Sequence, residues 1–461
     1  MTQSELPFFS LHELAPLLKR GEISPVELTK ALLERIEALN GSLVAYITIV
    51  ADEALAAAKS AEEAIRSGAY RGPLHGIPIA LKEVFETKGI RTTAGAKILE
   101  NHIPETNSTV AEQLSDAGAI LLGKTNMHEF AAGFTGINEH FGTSRNPWDL
   151  ERIAGGSSSG SGTAVAASLA IAAMGSDTGG SIRVPSSFCG LVGLKPTTGR
   201  VSSFGVIPLS WTFDHAGPMT KKVEDAALML NILAGSDPLD PTTWNTPPPL
   251  DDYTTALTKE IRGLKVGVPT DYFFEEIDPE IDEAVRKAIR LLESFGAIVE
   301  EVPFPQARAA REIFMTIVTA EAYAYHRENL EKHPDKFGER VRRFVEGGRE
   351  ISSAQYIQAL QTMKKLRREM GLLFEKADLI VTPATPVPAS KIGEPRGSIG
   401  HCTLPVNPLG LCAIALPCGF TSEGLPIGLQ ILGKPFDEAT ILCVAHHYEQ
   451  ATEWHKRRAP V

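Results

Sequence analysis

Two Gly/Ser-rich turns, Gly155-Gly-Ser-Ser-Ser-Gly-Ser-Gly162 and Gly175-Ser-Asp-Thr-Gly-Gly-Ser-Ile-Arg183, flank Thr163–Met174, which is almost all Ala, Val, Leu and Ile. A segment that apolar belongs in the interior, so both turns are expected to meet at one buried place. Glycine admits backbone that no side-chain-bearing residue tolerates. It also bares N–H groups that can be aimed at an anion. A serine in such a turn can act as a nucleophile with an oxyanion pocket already beside it. The pattern therefore points to one site with two serines, Ser157 and Ser181. The competing reading is a pair of ordinary Gly/Ser surface turns.

The rest of the chain is that of a globular enzyme. Its 461 residues are 43% hydrophobic and 22% charged, with a net charge of −11. The length is compatible with three domains or with one large α/β domain carrying insertions. An acidic chain with only short Lys/Arg clusters argues against direct nucleic-acid binding, which needs a basic surface. Cys189, Cys402, Cys412, Cys418 and Cys443 show no Cys-x-x-Cys spacing and read as small buried hydrophobes in a reducing compartment. The N-terminus lacks a basic segment and an apolar signal core, and no run of about 18 apolar residues occurs, so no membrane partner and a cytoplasmic location are expected.

Short apolar strands alternate with helices along the chain. Residues 10–39 predict two helices, the second starting with Ser24 as N-cap, Pro25 at the first helical position and Glu27 completing a capping box. Residues 52–67, 108–117, 279–295 and 437–451 also predict helices. Gly76–Leu81, Ala119–Leu122, Val266–Val268, Ile298–Val302, Leu379–Val381, Ala413–Leu416 and Ile427–Ile431 predict strands, the first delivering Lys82 at its end. The pattern implies an α/β fold with a sheet covered by helices on both faces. Residues 305–376 are helical, charged and strand-free, an elaboration beside the sheet. The Pro-rich stretches 237–250 and 383–396 read as loops.

Two pattern matches carry no chemistry. Gly118–Thr125 fits a phosphate-binding loop, but its middle is wholly apolar and reads as a strand. Gly156–Gly160 fits a nucleophile elbow at Ser158, but the elbow needs a preceding strand and Asn146–Ala154 is polar and Pro-containing. A serine nucleophile needs a proton acceptor. His128 and His215 lie near the turns; Asp214 cannot orient the adjacent His215, because neighbouring side chains diverge. The alternative acceptor is Lys82, flanked by Ile79-Ala80-Leu81 and Val84-Phe85, where burial would lower its pKa. An ordinary strand-end lysine is the plainer reading. As a relay, Ser181 attacks a carbonyl carbon, and its proton passes through Ser157 to Lys82. The N–H groups of Thr178, Gly179, Gly180 and Ser181 would then hold the oxyanion.

At these residues the chain resembles the amidase signature family. The similarity runs from about Leu11 to Pro460. It includes Gly72-Pro-Leu-His-Gly-Ile-Pro-Ile-Ala-Leu-Lys82, Leu122–Phe130, Asn146-Pro-Trp-Asp149, the two turns, Gly193–Thr197, Leu416–Gly419, Gly424–Gln430 and Ala445–Trp454. The resemblance implies a mixed central sheet sandwiched by helices, in one domain over 1–461. The stretch 305–400 would be its variable helical and loop elaboration, lining the cleft. It implies a Ser-cisSer-Lys triad, with Lys82 as base, Ser157 as the bridging cis-serine and Ser181 as nucleophile, and no metal or organic cofactor. Glu83 departs from the family, which usually has Asp there.

Within the family, a free-standing hydrolase of a carboxamide, aryl amide or carbamate is the preferred reading. The alternative is the glutaminase component of a glutamyl-tRNA(Gln)/aspartyl-tRNA(Asn) amidotransferase. Phe204–Pro208 and Trp211–His215 stand where that component carries a Tyr-Gly-Leu-Val-Ala-type turn. The segment Glu321–Phe374 and the loop 383–404 look like the free-standing amidases. Met127, Phe134, Trp211 and Phe213 are expected to form an apolar or aromatic substrate pocket, with core packing as the competing reading. The expected partner is a small-molecule amide or carbamate, and a homodimer is a further expectation.

Overall fold

The computed structural model describes residues 3–394 and 397–461. Part of the expected loop 383–396 (Pro395 and Arg396) and the first two residues of the N-terminus lie outside the described residues.

Strands are β1 Tyr46–Ile49, β2 Pro78–Lys82, β3 Ile120–Thr125, β4 Arg145–Asn146, β5 Asp149–Ile153, β6 Ala172–Ser176, β7 Val192–Lys195, β8 Ala216–Thr220, β9 Lys265–Pro269, β10 Ile298–Val302, β11 Leu379–Pro383, β12 Cys412–Phe420 and β13 Pro426–Gly433. Among the described residues, eleven of them form one mixed sheet in the order β1-β3-β2-β6-β8-β7-β12-β13-β11-β9-β10. β2 runs parallel to both β3 and β6, whereas β8, β7, β12 and β13 pair antiparallel. The central strands β2, β6, β8, β7 and β13 are buried along their whole length. Of these, β2 and β13 read along the chain as short apolar runs with no alternation, whereas β6, β7 and β8, mixed with Gly, Pro, Ser, Thr or Lys, are missed.

Helices are α1 Leu11–Lys19, α2 Pro25–Leu43, α3 Ala51–Arg66, α4 Thr109–Asp116, α5 Ser159–Ala166, α6 Arg183–Cys189, α7 Val223–Leu233, α8 Pro279–Ser294, α9 Gln306–Lys332, α10 Glu339–Glu346, α11 Ser353–Leu373 and α12 Glu438–Gln450. Ser24 caps α2 through Val26 N (3.1 Å) and Glu27 N (3.2 Å). Its hydroxyl donates to Glu62 (2.5 Å), so the carboxylate that completes the cap comes from α3 and not from Glu27. The strand-free stretch 305–376 is the helices α9, α10 and α11, as its charge pattern implied.

Two expectations fail locally. Asn146–Ala154 is not strand-free: β4 and β5 form a small hairpin turning at Pro147-Trp148. Its half-exposed, polar strands carry little of the apolar signal by which strands are read. Thr163–Met174 is not one element. It closes α5, reverses at Ser168 with φ +55°, and becomes β6. Both halves are so small and apolar that no periodicity separates them.

The five cysteines are free and buried. Among the described residues no helix is long and apolar enough to cross a membrane.

Candidate active site

β2 and β6 run parallel side by side, so their C-terminal ends deliver Lys82 and Ser176 to one place. This is the edge of an α/β sheet at which ligands generally bind. The chain enters α5 directly from Ser157-Ser158 and enters α6 directly from Ser181-Ile182. The peptide bond Gly156–Ser157 is cis. Ser158 staples the two turns together. Its N–H donates to Ser181 O (3.2 Å), its hydroxyl donates to Ser176 O (3.2 Å), and Ser176 N donates back to it (3.2 Å). Ser158 is thereby engaged in structure.

Lys82 is fully buried, and its Nζ lies 2.7 Å from Ser157 Oγ and 2.8 Å from Ser176 Oγ. Burial pushes its pKa down to about 7, while the charges of Asp214 and Asp177 pull the other way. At the ordinary value near ~10.4 an amine would be neutral only about once in several thousand molecules at pH 7. At about 7, roughly half are neutral, which is the form that can take a proton. Nothing in the sequence marks Ser176. It is one more serine in a Gly/Ser-rich turn, and only the pairing of β6 with β2 reveals it.

The histidines do not offer a base. His215 is buried; its Nδ1 meets Phe213 O (2.6 Å) and its Nε2 meets Thr198 Oγ1 (3.0 Å). Burial above all brings it down to about 3. His128 is also buried, and burial with the charges of Arg340 and Lys82 brings it to about 4. Asp214 faces away from His215 and accepts from Thr178 Oγ1 (2.5 Å), Leu209 N (2.8 Å) and Ser210 N (3.0 Å).

A buried ion pair shapes the second turn. Asp177 Oδ1 accepts from Gly180 N (2.7 Å), and Oδ2 accepts from Ile182 N (3.2 Å). Both oxygens are also held by Arg183, whose Nη2 and Nε lie 2.8 and 3.0 Å away. Burial alone would raise Asp177, but the guanidinium beside it holds the carboxyl well below the usual carboxylate range. Arg183 extends to Asn407 Oδ1 (2.7 Å), Gln430 Oε1 (2.8 Å) and Thr403 O (3.2 Å), tying the turn to the C-terminal third of the chain.

This geometry corrects one expected oxyanion donor. The Gly180 N–H is spent on Asp177, which leaves Thr178, Gly179 and Ser181 as the N–H groups of that turn with no acceptor shown among the described residues. Glycine is required here for space. Gly180 has φ +138°, and a Cβ on it would lie 2.1 Å from Thr403 Oγ1; one on Gly179 would lie 2.7 Å from Phe314 Cζ.

A cavity of about 220 Å³ opens onto Thr178, Gly179 and Ser181. Its walls are Ala131–Phe134, Leu209, Phe314, Met315, Val318 and Phe344, with no charged side chain among them. Phe134 therefore lies where expected. Met127 does not: it is wholly buried, and its carbonyl accepts from Asn138 Nδ2 (2.9 Å). Phe213 is also wholly buried and backs the wall by stacking on Phe314 at 5.3 Å. Trp211 is 57% exposed, with its edge on Tyr325. Phe314, Met315, Val318 and Phe344 are silent in the sequence because they sit in the charged elaboration, where no motif marks them. Among the described residues no cluster of three or more His, Cys, Asp or Glu side chains is placed to hold a metal ion.

If Lys82 must be neutral for the site to work, activity depends on pH with a definite sign. Below about pH 7 the amine is charged and the relay is blocked; kcat/KM is expected to rise through about 7 and level above it. A profile flat from about pH 5.5 to 8 contradicts this; His128 and His215 titrate far lower, and a midpoint near 6 would mark Asp214, which burial raises to about 6 beside Thr178.

The sheet and the buried lysine beside two glycine-bounded serines define an α/β amidohydrolase. The Amidase family model matches residues 27–442, and the chain belongs to that family. It is 44% identical to the A-type component of the glutamyl-tRNA(Gln) amidotransferase of Moorella thermoacetica, with 98% of this chain and 99% of that one covered. Among solved structures, it is similar to a vestigial protein complex tied to the origins of an s-triazine catabolic enzyme. The match has a TM-score of 0.91 and 34% identity, covering 96% of this chain and 98% of the other. It is also similar to the A-type component of the glutamyl-tRNA(Gln) amidotransferase of Thermotoga maritima, with a TM-score of 0.81 and 34% identity over 95% of this chain and 94% of that one. The chain is thus an amidase-signature hydrolase acting on carbon–nitrogen bonds.

Proposed function

We propose that this chain cleaves an amide by acyl transfer to Ser181. The substrate carbonyl sits at the mouth of the cavity. Ser181 Oγ attacks it while the Ser181 proton passes to Ser157 and the Ser157 proton to Lys82 Nζ. The N–H groups of Thr178, Gly179 and Ser181 hold the oxyanion, an effect worth a few kcal/mol. The proton returns along the relay to the leaving nitrogen as the C–N bond breaks. Water, deprotonated by the same relay, then releases the acid. The observation that carries this reading is the desolvated Lys82 amine 2.7 Å from Ser157.

For the amide itself, similarity shifts the weight away from the free-standing hydrolase preferred on sequence grounds. Relatives named as the A-type component of the glutamyl-tRNA(Gln) amidotransferase match at 44% identity over nearly the full chain. They support glutamine as substrate, with the released ammonia passed to a partner protein. A second reading is favoured by the cavity, whose walls are apolar and offer no charge to hold the amino-acid end of glutamine. It is a free-standing amidase for an amide with an apolar acyl group.

One panel separates them: glutamine, aliphatic amides, aryl amides and carbamates, tested on the chain alone and with the remaining components of a tRNA-dependent amidotransferase. Cleavage confined to glutamine, and stimulated by those components, supports the first reading and ends the second. Hydrolysis of apolar amides by the chain alone, without glutaminase activity, does the reverse. Turnover by Ser181→Ala sinks the chemistry common to both.

A further inference from the structure

Glu321 lies on α9, in the helical elaboration, yet it is only 4% exposed and its carboxylate turns inward. Four donors converge on it. Oε2 accepts from Ser210 Oγ (2.5 Å) and Thr212 N (3.1 Å). Oε1 accepts from Thr212 Oγ1 (2.5 Å) and from the Tyr356 hydroxyl of α11 (2.7 Å). Three of the four donors belong to the loop 209–214. The far side of that loop carries Asp214, which accepts from Leu209 N and Ser210 N and binds the hydroxyl of Thr178. Leu209 and Thr178 both line the cavity beside Ser181. α9 itself supplies Phe314, Met315 and Val318 to the same cavity.

We propose that Glu321 is a positioning residue for amide cleavage: through the loop 209–214 and Asp214 it sets where Thr178 stands beside Ser181. The proposal rests on the acyl-transfer reading above. Only a carboxylate accepts four hydrogen bonds while presenting no donor of its own. Burying that charge is unfavourable unless every bond is made, and apolar packing already joins α9 to the loop through the Phe213–Phe314 stack. What the carboxylate adds is direction. It holds Ser210 and Thr212 from one side while Asp214 holds the Leu209 and Ser210 N–H groups from the other. The roof of the cavity and the turn with the oxyanion donors are thereby built as one unit. A displacement of about 1 Å in such a turn lowers rates about 100-fold.

The test is a double-mutant cycle on the full chain, with whichever amide the panel identifies. Glu321→Ala is expected to lower kcat roughly 10- to 100-fold while KM changes less than about threefold. Glu321→Gln is expected to recover most of that loss, because its oxygen can still accept from Ser210 Oγ and Thr212 N while its NH2 donates to the Thr212 and Tyr356 hydroxyls, which can accept as well as donate. Thr178→Val removes the hydroxyl that Asp214 holds. Combined with Glu321→Ala it is expected to be no slower than about threefold below the slower single variant, because both act through one placement. Losses that multiply overturn the proposal, as does a rise in KM with kcat intact, which would mark Glu321 as cavity wall only. Should Glu321→Ala fail to fold, Tyr356→Phe removes one of the four donors and carries the same cycle at smaller amplitude. Failure of the underlying chemistry shows separately, as turnover by Ser181→Ala.

Discussion

Lys82→Met is expected to leave amide turnover at least about 1000-fold below that of the unaltered chain, with the melting temperature unchanged or higher. The two halves have one cause. Lys82 is wholly buried and its pKa is pushed to about 7, so the fold holds an amine where its charged form is disfavoured. A methionine fills nearly the same volume without that penalty and, at a desolvated site, relieves it. The chemistry is lost because Ser157 then has no acceptor, and Ser176, the other neighbour of Nζ, is no base. Members of a nucleophile–base unit fail together, leaving only the residual catalysis of the oxyanion donors. Steady-state kinetics beside a thermal melt checks both. Activity above about 1% of the original in a folded Lys82→Met points to another base and removes the relay.

The second large effect falls on stability. Arg183→Met leaves Asp177 buried and charged without its ion-pair partner, and strands the acceptors on Asn407, Gln430 and Thr403. Breaking one partner out of a buried pair destabilises by about 3–5 kcal/mol. Denaturant unfolding is expected to show a loss of that size, and activity to fall with it, because Asp177 also holds Gly180 and Ile182 in the turn that carries Ser181. The double variant Asp177→Asn with Arg183→Met separates the two. It removes the uncompensated charge, so part of the stability returns. It does not restore the charge-assisted bonds to Gly180 and Ile182, so activity stays low. Recovery of both together would mean that the pair has no role in shaping the turn.

Much of the candidate site was legible along the chain, for a local reason. Glycine at 155, 156, 179 and 180 and serine at 157 and 181 mark backbone that must turn tightly and expose N–H groups, and such marks survive in one dimension. Lys82 was legible as a candidate base at the end of an apolar strand, with an ordinary strand-end lysine as the plainer reading. Elements with strong periodicity or caps, such as α2, α8 and α12, fell where expected. What escaped had its signal elsewhere. β4 and β5 are polar and half exposed, and β6 is too short and too small-sided to separate from α5. Of the four expected pocket residues, only Phe134 reaches the cavity. An aromatic side chain near a site in sequence points inward, outward or behind a neighbour according to packing that the sequence does not print.

The opening pair of turns divides the same way. Which residues are candidates for the chemistry was limited by residue type, because φ +138° at position 180 favours glycine and a relay needs side chains, such as serine and lysine, that can give and take a proton. Which of those residues act together was decided by tertiary structure. Parallel pairing of β2 with β6 brings Lys82 to within 2.8 Å of Ser176, 94 residues away, and the turn before α5 sets Ser157 2.7 Å from the same amine. Asp177 takes up the N–H of Gly180, one of the four expected to hold an oxyanion, and the carboxylate of Glu321 reaches back from a helix more than 100 residues downstream to the loop beside Thr178. Charge and conformational permission are properties of a residue; desolvation and alignment are properties of its neighbours, and only folding supplies those.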